Sequence, residues 1–182
     1  MGKNVIVISG APGAGSSTVS KIVARKLHLK YFSFGELHKG LVKGWKNEQS
    51  KAALDAWKTL QGSSEKTHKN RDALQESIAK KGNIVICGKL SIHFLKDITN
   101  KKIWLDVSLE ARAKRASKRD RISVETAMKE ISERENIERE SWKKIYGFDY
   151  FGQKKDADLA IDSSNMTVYQ TVKKIIDFIK SK

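Results

Sequence analysis

A chain of 182 residues is long enough for one domain with a sizeable core, and 36 Lys and Arg against 21 Asp and Glu give it a formal charge of +15. Its single cysteine excludes an internal disulfide, and its single proline argues against a disordered linker. No apolar run approaches a membrane span and no charged-then-apolar leader precedes the first strand, so a soluble, cytoplasmic monomer is expected.

The first predicted strand, Val5–Ser9, is a β-branched apolar run of the kind buried on both faces. Gly10, Ala11, Pro12, Gly13, Ala14, Gly15, Ser16, Ser17 and Thr18 follow it. Ser17 opens a helix to Leu27, with Val19, Ile22, Val23 and Leu27 at helical spacing. Strand, glycine turn and helix match the phosphate-binding loop G-x-x-x-x-G-K-[ST], with Ser16 in the lysine position. Glycines let backbone N–H groups turn inward, and the positive end of the helix dipole points to the same spot. Residues Gly10 to Thr18 are therefore expected to cradle the phosphates of ATP, and Ser17 falls in register with the hydroxyl that ligates Mg²⁺. The charge that a loop lysine would supply must come from elsewhere in the chain. A plain connecting turn is the alternative; the strand before and the helix after favour the nucleotide loop.

Four more strands are predicted: Lys30–Phe34, Ile84–Cys87, Lys102–Val107 and Leu159–Asp162. A polar helical stretch, 35–81, is broken near Gly44 and Gly62–Ser64, and a charge-dense helical stretch runs from Leu109 to about Tyr146. An amphipathic helix, Val168–Ile179, closes the chain. Strands alternating with helices imply an α/β fold with a parallel sheet between helical layers. Two segments exceed a simple crossover, 35–81 and 120–150, and both leave from the carboxyl edge of the sheet, where clefts open.

Polar residues in those segments are candidates for a site. Arg112 and Arg115 lie three apart on one predicted helix face, and Arg134 and Arg139 lie in the later segment. Guanidinium groups fork onto phosphate oxygens; the alternative is solvated pairing with Glu110, Glu130, Glu135 or Glu138. Asp72 and Gln75, one turn apart, can face a base edge, where a carboxylate or amide accepts from a base amine. An exposed polar helix face is the competing account. Asp106 and Asp162 end strands as turn or cap candidates, Asp106 being the weaker functional one. His28, His38, His68 and His93 show no metal-ligand spacing, and Trp45 and Trp57 read as helix packing. The lysines are spread along the chain, which favours a phosphate cleft and a solvated surface over nucleic-acid contact.

Four segments resemble the nucleoside monophosphate kinases, most closely the archaeal-type cytidylate kinases. They are Gly10–Thr18, Ser33–Lys39, Lys80–Leu90, and the run from Leu109-Glu-Ala-Arg112 to Lys143-Lys-Ile-Tyr-Gly147. The resemblance implies one P-loop kinase domain with a five-stranded parallel sheet. Its core would be 1–34, 82–119 and 151–182, its monophosphate-binding insertion 35–81 and its helical lid 120–150. It implies transfer of the ATP γ-phosphate to CMP or dCMP with Mg²⁺. Ser16, Arg115, Arg134 and Arg139 would serve the transfer, Ser17 the metal, and Lys39, Asp72, Gln75, Gly88 and Lys89 the acceptor. The family usually has arginine at the Lys39 position and Glu-Gly-Arg where Cys87-Gly88-Lys89 stands. Lysine keeps the charge but loses the bidentate fork. A small-molecule kinase with another acceptor, and a nucleotide- or RNA-binding protein with degenerate activity, remain alternatives at this stage.

Overall fold

The structure is a computed structural model and describes residues 4–36, 49–59 and 64–181. Five strands form one parallel sheet: β1 (Val5–Gly10), β2 (Lys30–Ser33), β3 (Ile84–Cys87), β4 (Lys101–Asp106) and β5 (Leu159–Asp162). Their spatial order is β2-β3-β1-β4-β5, so β1 lies in the centre with every residue buried. Its side chains alternate between the two faces. Ile6 and Ile8 pack with Val23, Leu105, Val172 and Ile175 on one side. Val5 and Val7 pack with Ile86, Ile92, Leu95, Trp104 and Tyr150 on the other. Helices thus cover both faces, as a sheet of continuous apolar strands requires.

Seven α-helices lie wholly within the described residues: α1 (Ser16–Lys26), α2 (Gln49–Trp57), α3 (Glu65–Lys80), α4 (Ser91–Phe94), α5 (Leu109–Asp120), α6 (Val124–Tyr146) and α7 (Val168–Lys180). A 3₁₀ segment spans Tyr150–Asp156. The expected strands are all present, with ends shifted by one residue in β1, β2 and β4. The continuous helix expected from Leu109 to Tyr146 is instead two helices. Arg121 closes α5 in the left-handed region at φ 57°, and the Ser123 side chain caps α6 by accepting from the Thr126 backbone N–H at 3.0 Å. Dense charge on both sides hid that cap in the sequence. The short α4 and the 3₁₀ segment are also additions, too brief to show a period. Lys39, His38, Gly44, Trp45 and Gly62 lie outside the described residues. No helix among the described residues is long and apolar enough to cross a membrane.

Candidate nucleotide cleft

At the carboxyl ends of the strands lies a cleft of about 650 Å³. Its floor is the loop between β1 and α1. Gly13 and Gly15 turn there at φ 80° and 86°, a backbone region in which an L side chain is strained. Gly10 lets β1 approach β4, since a Cβ would stand 2.9 Å from the Leu105 carbonyl oxygen. Gly15 caps α1 without a side-chain hydrogen bond, so the first backbone N–H groups of the helix face the cleft. Such a terminus takes an anion. Ala11 to Thr18 all line the cleft, and Gly10 does not.

Arg112 and Arg115 part company. Arg112 is buried beneath the loop, donating to the Pro12 carbonyl at 3.0 Å, the Val107 carbonyl at 3.1 Å and Glu135 at 2.6 Å. It is a strut that props the loop. Arg115 lines the cleft and donates to the carbonyls of Ala14, at 3.3 Å, and Ser163. One turn further along α5, Arg119 also reaches the cleft, donating to Ser50 Oγ at 2.9 Å and to Asp120. The spacing of four from Arg115 was its signal in the sequence. Arg115, Arg119, Met166, Thr167 and Val168 make one end of the cleft.

The opposite end is built by α3 and the turns after β2 and β3. Gln75, 2% exposed, donates to Asp72 Oδ1 at 3.0 Å and accepts from Ser91 Oγ at 2.7 Å. The Tyr146 hydroxyl donates to the other oxygen of Asp72. Burial pushes the Asp72 carboxyl up to about 6, against those two hydrogen bonds and Arg71. Arg71, the residue before Asp72 in α3, also lines this end. Gly88 and Lys89 follow β3, and a Cβ at Gly88 would stand 2.3 Å from Ser91 Oγ. Asp72, Gln75, Gly88 and Lys89 are thus brought together.

The roof comes from α2 and α6. Trp57 stacks on His68 at 5.0 Å and meets Trp142 edge-on at 5.1 Å; Trp142 meets Tyr150 at 4.8 Å. These rings join α2, α3 and α6, so Trp57 is a packing residue at the cleft wall. Lys58 pairs with Glu133 at 2.7 Å, and the Ser50 N–H donates to Asp120 at 3.0 Å, fastening α2 to α5 and α6. Arg134 faces the cleft and donates to Glu138 at 2.8 Å. Lys89 donates to the same carboxylate. Arg139 does not join them. It pairs with Asp149 on the outer side and lies 5.0 Å over the Phe151 ring, outside the cleft lining. The helical period puts residue 139 about 140° around α6 from residue 134. Asp106 pairs with Lys154 and Asp162 accepts from the Ser164 N–H at 2.9 Å, both as local surface contacts.

A divalent cation has few protein ligands here. Ser17 Oγ lies in the cleft, 3.7 Å from the buried thiol of Cys87. No cluster of three His, Cys, Asp or Glu among the described residues could hold a metal. One hydroxyl beside a phosphate cradle fits Mg²⁺ carried mainly by nucleotide phosphates and water.

A family model described as the cytidylate kinase-like family matches residues 5–165. The chain belongs to that family. Similar proteins include the cytidylate kinase of Pyrococcus horikoshii, 33% identical over 180 residues, 97% of this chain and 90% of that protein. The cytidylate kinase of Methanocaldococcus jannaschii is 31% identical over 97% of this chain and 99% of its own length. A shikimate kinase structure from Bacteroides thetaiotaomicron covers 99% of this family member with a TM-score of 0.66 at 17% identity, and all of that chain is matched. An uncharacterized protein from Eubacterium ventriosum superposes with a TM-score of 0.70 at 17% identity over the whole of both chains. The two superpositions show a shared fold, the five-stranded parallel sheet between helical layers.

Proposed function

We propose that the protein is a nucleoside monophosphate kinase that moves the γ-phosphate of ATP to CMP or dCMP. The observation that carries the reading is one cleft with a glycine loop and a helix N-terminus on its floor, cations on both sides and the hydrogen-bonded pair Asp72 and Gln75 at one end. The donor phosphates rest on Gly13 to Thr18 and the N-terminus of α1. Arg115 and Arg119 flank the donor end. Lys89 and Arg71 serve the acceptor phosphate, with Lys39 as a further candidate. Arg134 reaches from α6 to both the acceptor phosphate and the transferring group and, with Lys89, supplies charge that Ser16 cannot. Arg139, paired on the outer side, joins only if α6 rotates.

Phosphoryl transfer asks little covalent chemistry of the protein. It asks for two phosphates held in line, charge neutralised on the moving group, and water kept out. The roof of α2 and α6 serves the last requirement, and the segment around 124–146 acts as the lid. Ser17 would hold the Mg²⁺ that accompanies the nucleotide, and the ion would supply charge neutralisation at the phosphates. An acceptor hydroxyl deprotonated by a general base is not required, because the acceptor phosphate is already an anionic nucleophile.

Incubation with γ-labelled ATP, Mg²⁺ and CMP tests the reading. The label is expected in CDP, with one ADP formed per CDP. Label released only as inorganic phosphate would make the protein a hydrolase and overturn the proposal.

A further inference from the structure

Lys89 and Arg134 arrive at the cleft from different parts of the chain, one after β3 and one on α6, and meet on one carboxylate. Glu138, one turn after Arg134, is completely buried. Lys89 Nζ donates to Glu138 Oε2, and Arg134 Nε donates to Oε1 at 2.8 Å. The Tyr150 hydroxyl adds a donor to Oε2 at 3.4 Å. All three charged side chains line the cleft.

We infer that Glu138 is a positioning residue for phosphate binding: it holds the Lys89 ammonium and the Arg134 guanidinium charged on one carboxylate, so that an arriving acceptor phosphate meets an assembled pair of cations. The inference rests on the kinase reading above and names the group that assembles its acceptor clamp. Two cations at a partly desolvated wall repel, and a buried ammonium without a counter-charge gives up its proton. The groups facing Lys89 are Arg134, Glu135 and Glu138 on α6, the Trp142 ring at 5.9 Å and the Tyr150 hydroxyl of the 3₁₀ segment. Glu135 is already engaged by Arg112 at 2.6 Å, which leaves Glu138 as the compensating charge. Burial first, then Arg134, pull the Lys89 ammonium below the ordinary lysine value, and Glu138 opposes both. Burial would raise the Glu138 carboxyl, but Lys89 and Arg134 hold it below its ordinary value. Arginine keeps its charge throughout, so Lys89 is the titrating partner. The arrangement also links the acceptor wall to the lid helix through one side chain.

The test uses the full chain labelled with ¹³C-lysine, the Lys89 signal being the one missing from Lys89→Arg. Without nucleotide, Glu138→Gln is expected to lower the Lys89 titration midpoint by about one pH unit or more, and Glu138→Asp to restore most of it. In steady state, the ratio of the CMP KM of Glu138→Gln to that of the parent is expected near unity at about pH 5 and about tenfold at about pH 8.5. Taking the ratio cancels the titration of the CMP phosphate itself. An unchanged midpoint, or a KM ratio that is flat with pH, overturns the inference, since a merely structural role would move only stability. A lowered midpoint in a protein that does not phosphorylate CMP leaves the Glu138 arrangement standing and removes the acceptor assignment. If Glu138→Gln does not fold, Arg134→Gln decides instead. It keeps the carboxylate and removes the repelling cation, so the Lys89 midpoint must rise; no rise overturns the inference.

Discussion

Gly15 shows how much one residue of the loop carries. Its φ of 86° strains any L side chain, a Cβ there meets no protein atom within 4 Å, and the residue lines the cleft. Gly15→Val is expected to cost about 1–2 kcal/mol of stability through the left-handed backbone. The larger effect is on nucleotide: affinity for ATP should fall at least about tenfold by calorimetry as the side chain occupies the phosphate space. Binding equal to the parent would remove the loop assignment. Asp72 predicts a pH dependence. Its carboxyl is raised from 3.8 to about 6, chiefly by burial. The folded state therefore holds the proton more tightly than the unfolded chain. That contribution to stability is complete below the unfolded value and is lost as pH rises through about 6. For recognition the sign is opposite, because the carboxylate accepts from a cytosine amine more strongly than the neutral acid does. The KM for CMP is expected to rise as pH falls below about 6, and Asp72→Asn should flatten that limb relative to the parent. Parallel profiles for the two proteins would place base recognition elsewhere.

Among the elements, α5 and α6 hold the loop and the roof. Arg112, buried under the loop, bonds two backbone carbonyls and Glu135. Arg112→Leu breaks a buried pair and strands two carbonyl groups, so a loss of roughly 3–5 kcal/mol is expected in urea unfolding. A change below about 0.5 kcal/mol would show that the strut is not one. The helix α6 bears Arg134 and Glu138 on the cleft side and Arg139 on the other. If it is the lid, its amide hydrogens should exchange more slowly with both nucleotides bound than with neither, and unchanged exchange would take it out of the mechanism. The sequence exposed these two helices unevenly. Their charge was plain, but charge on every face conceals both a break and a direction. The end of α5 depends on Arg121 adopting a left-handed conformation and on the Ser123 cap, which were readable only as weak local signals. Which arginine faces inward depends on where the apolar residues Ala127, Ile131 and Trp142 seat the helix, and that is settled by packing.

Across the whole molecule, legibility followed burial. Strands buried on both faces show as apolar runs, so the order of elements and the parallel sheet could be read directly. The glycine turn after β1 was legible because its glycines answer a backbone demand. The acceptor end was less so. Its members arrive from α3, from the turn after β3 and from α6, and no spacing in the chain announces that Lys89 and Glu138 meet. The +15 charge resolves in part into cations gathered at the cleft, Arg71, Lys89, Arg115, Arg119 and Arg134 among them. A cleft of this kind should favour a phosphorylated acceptor, and Asp72 with Gln75 should favour the cytosine edge. The most direct test is the specificity constant, kcat/KM, for CMP, dCMP, UMP, AMP and GMP at saturating ATP and Mg²⁺. CMP or dCMP is expected to give the highest value; a clear preference for AMP or GMP, or no phosphorylation of any of the five, would contradict the account.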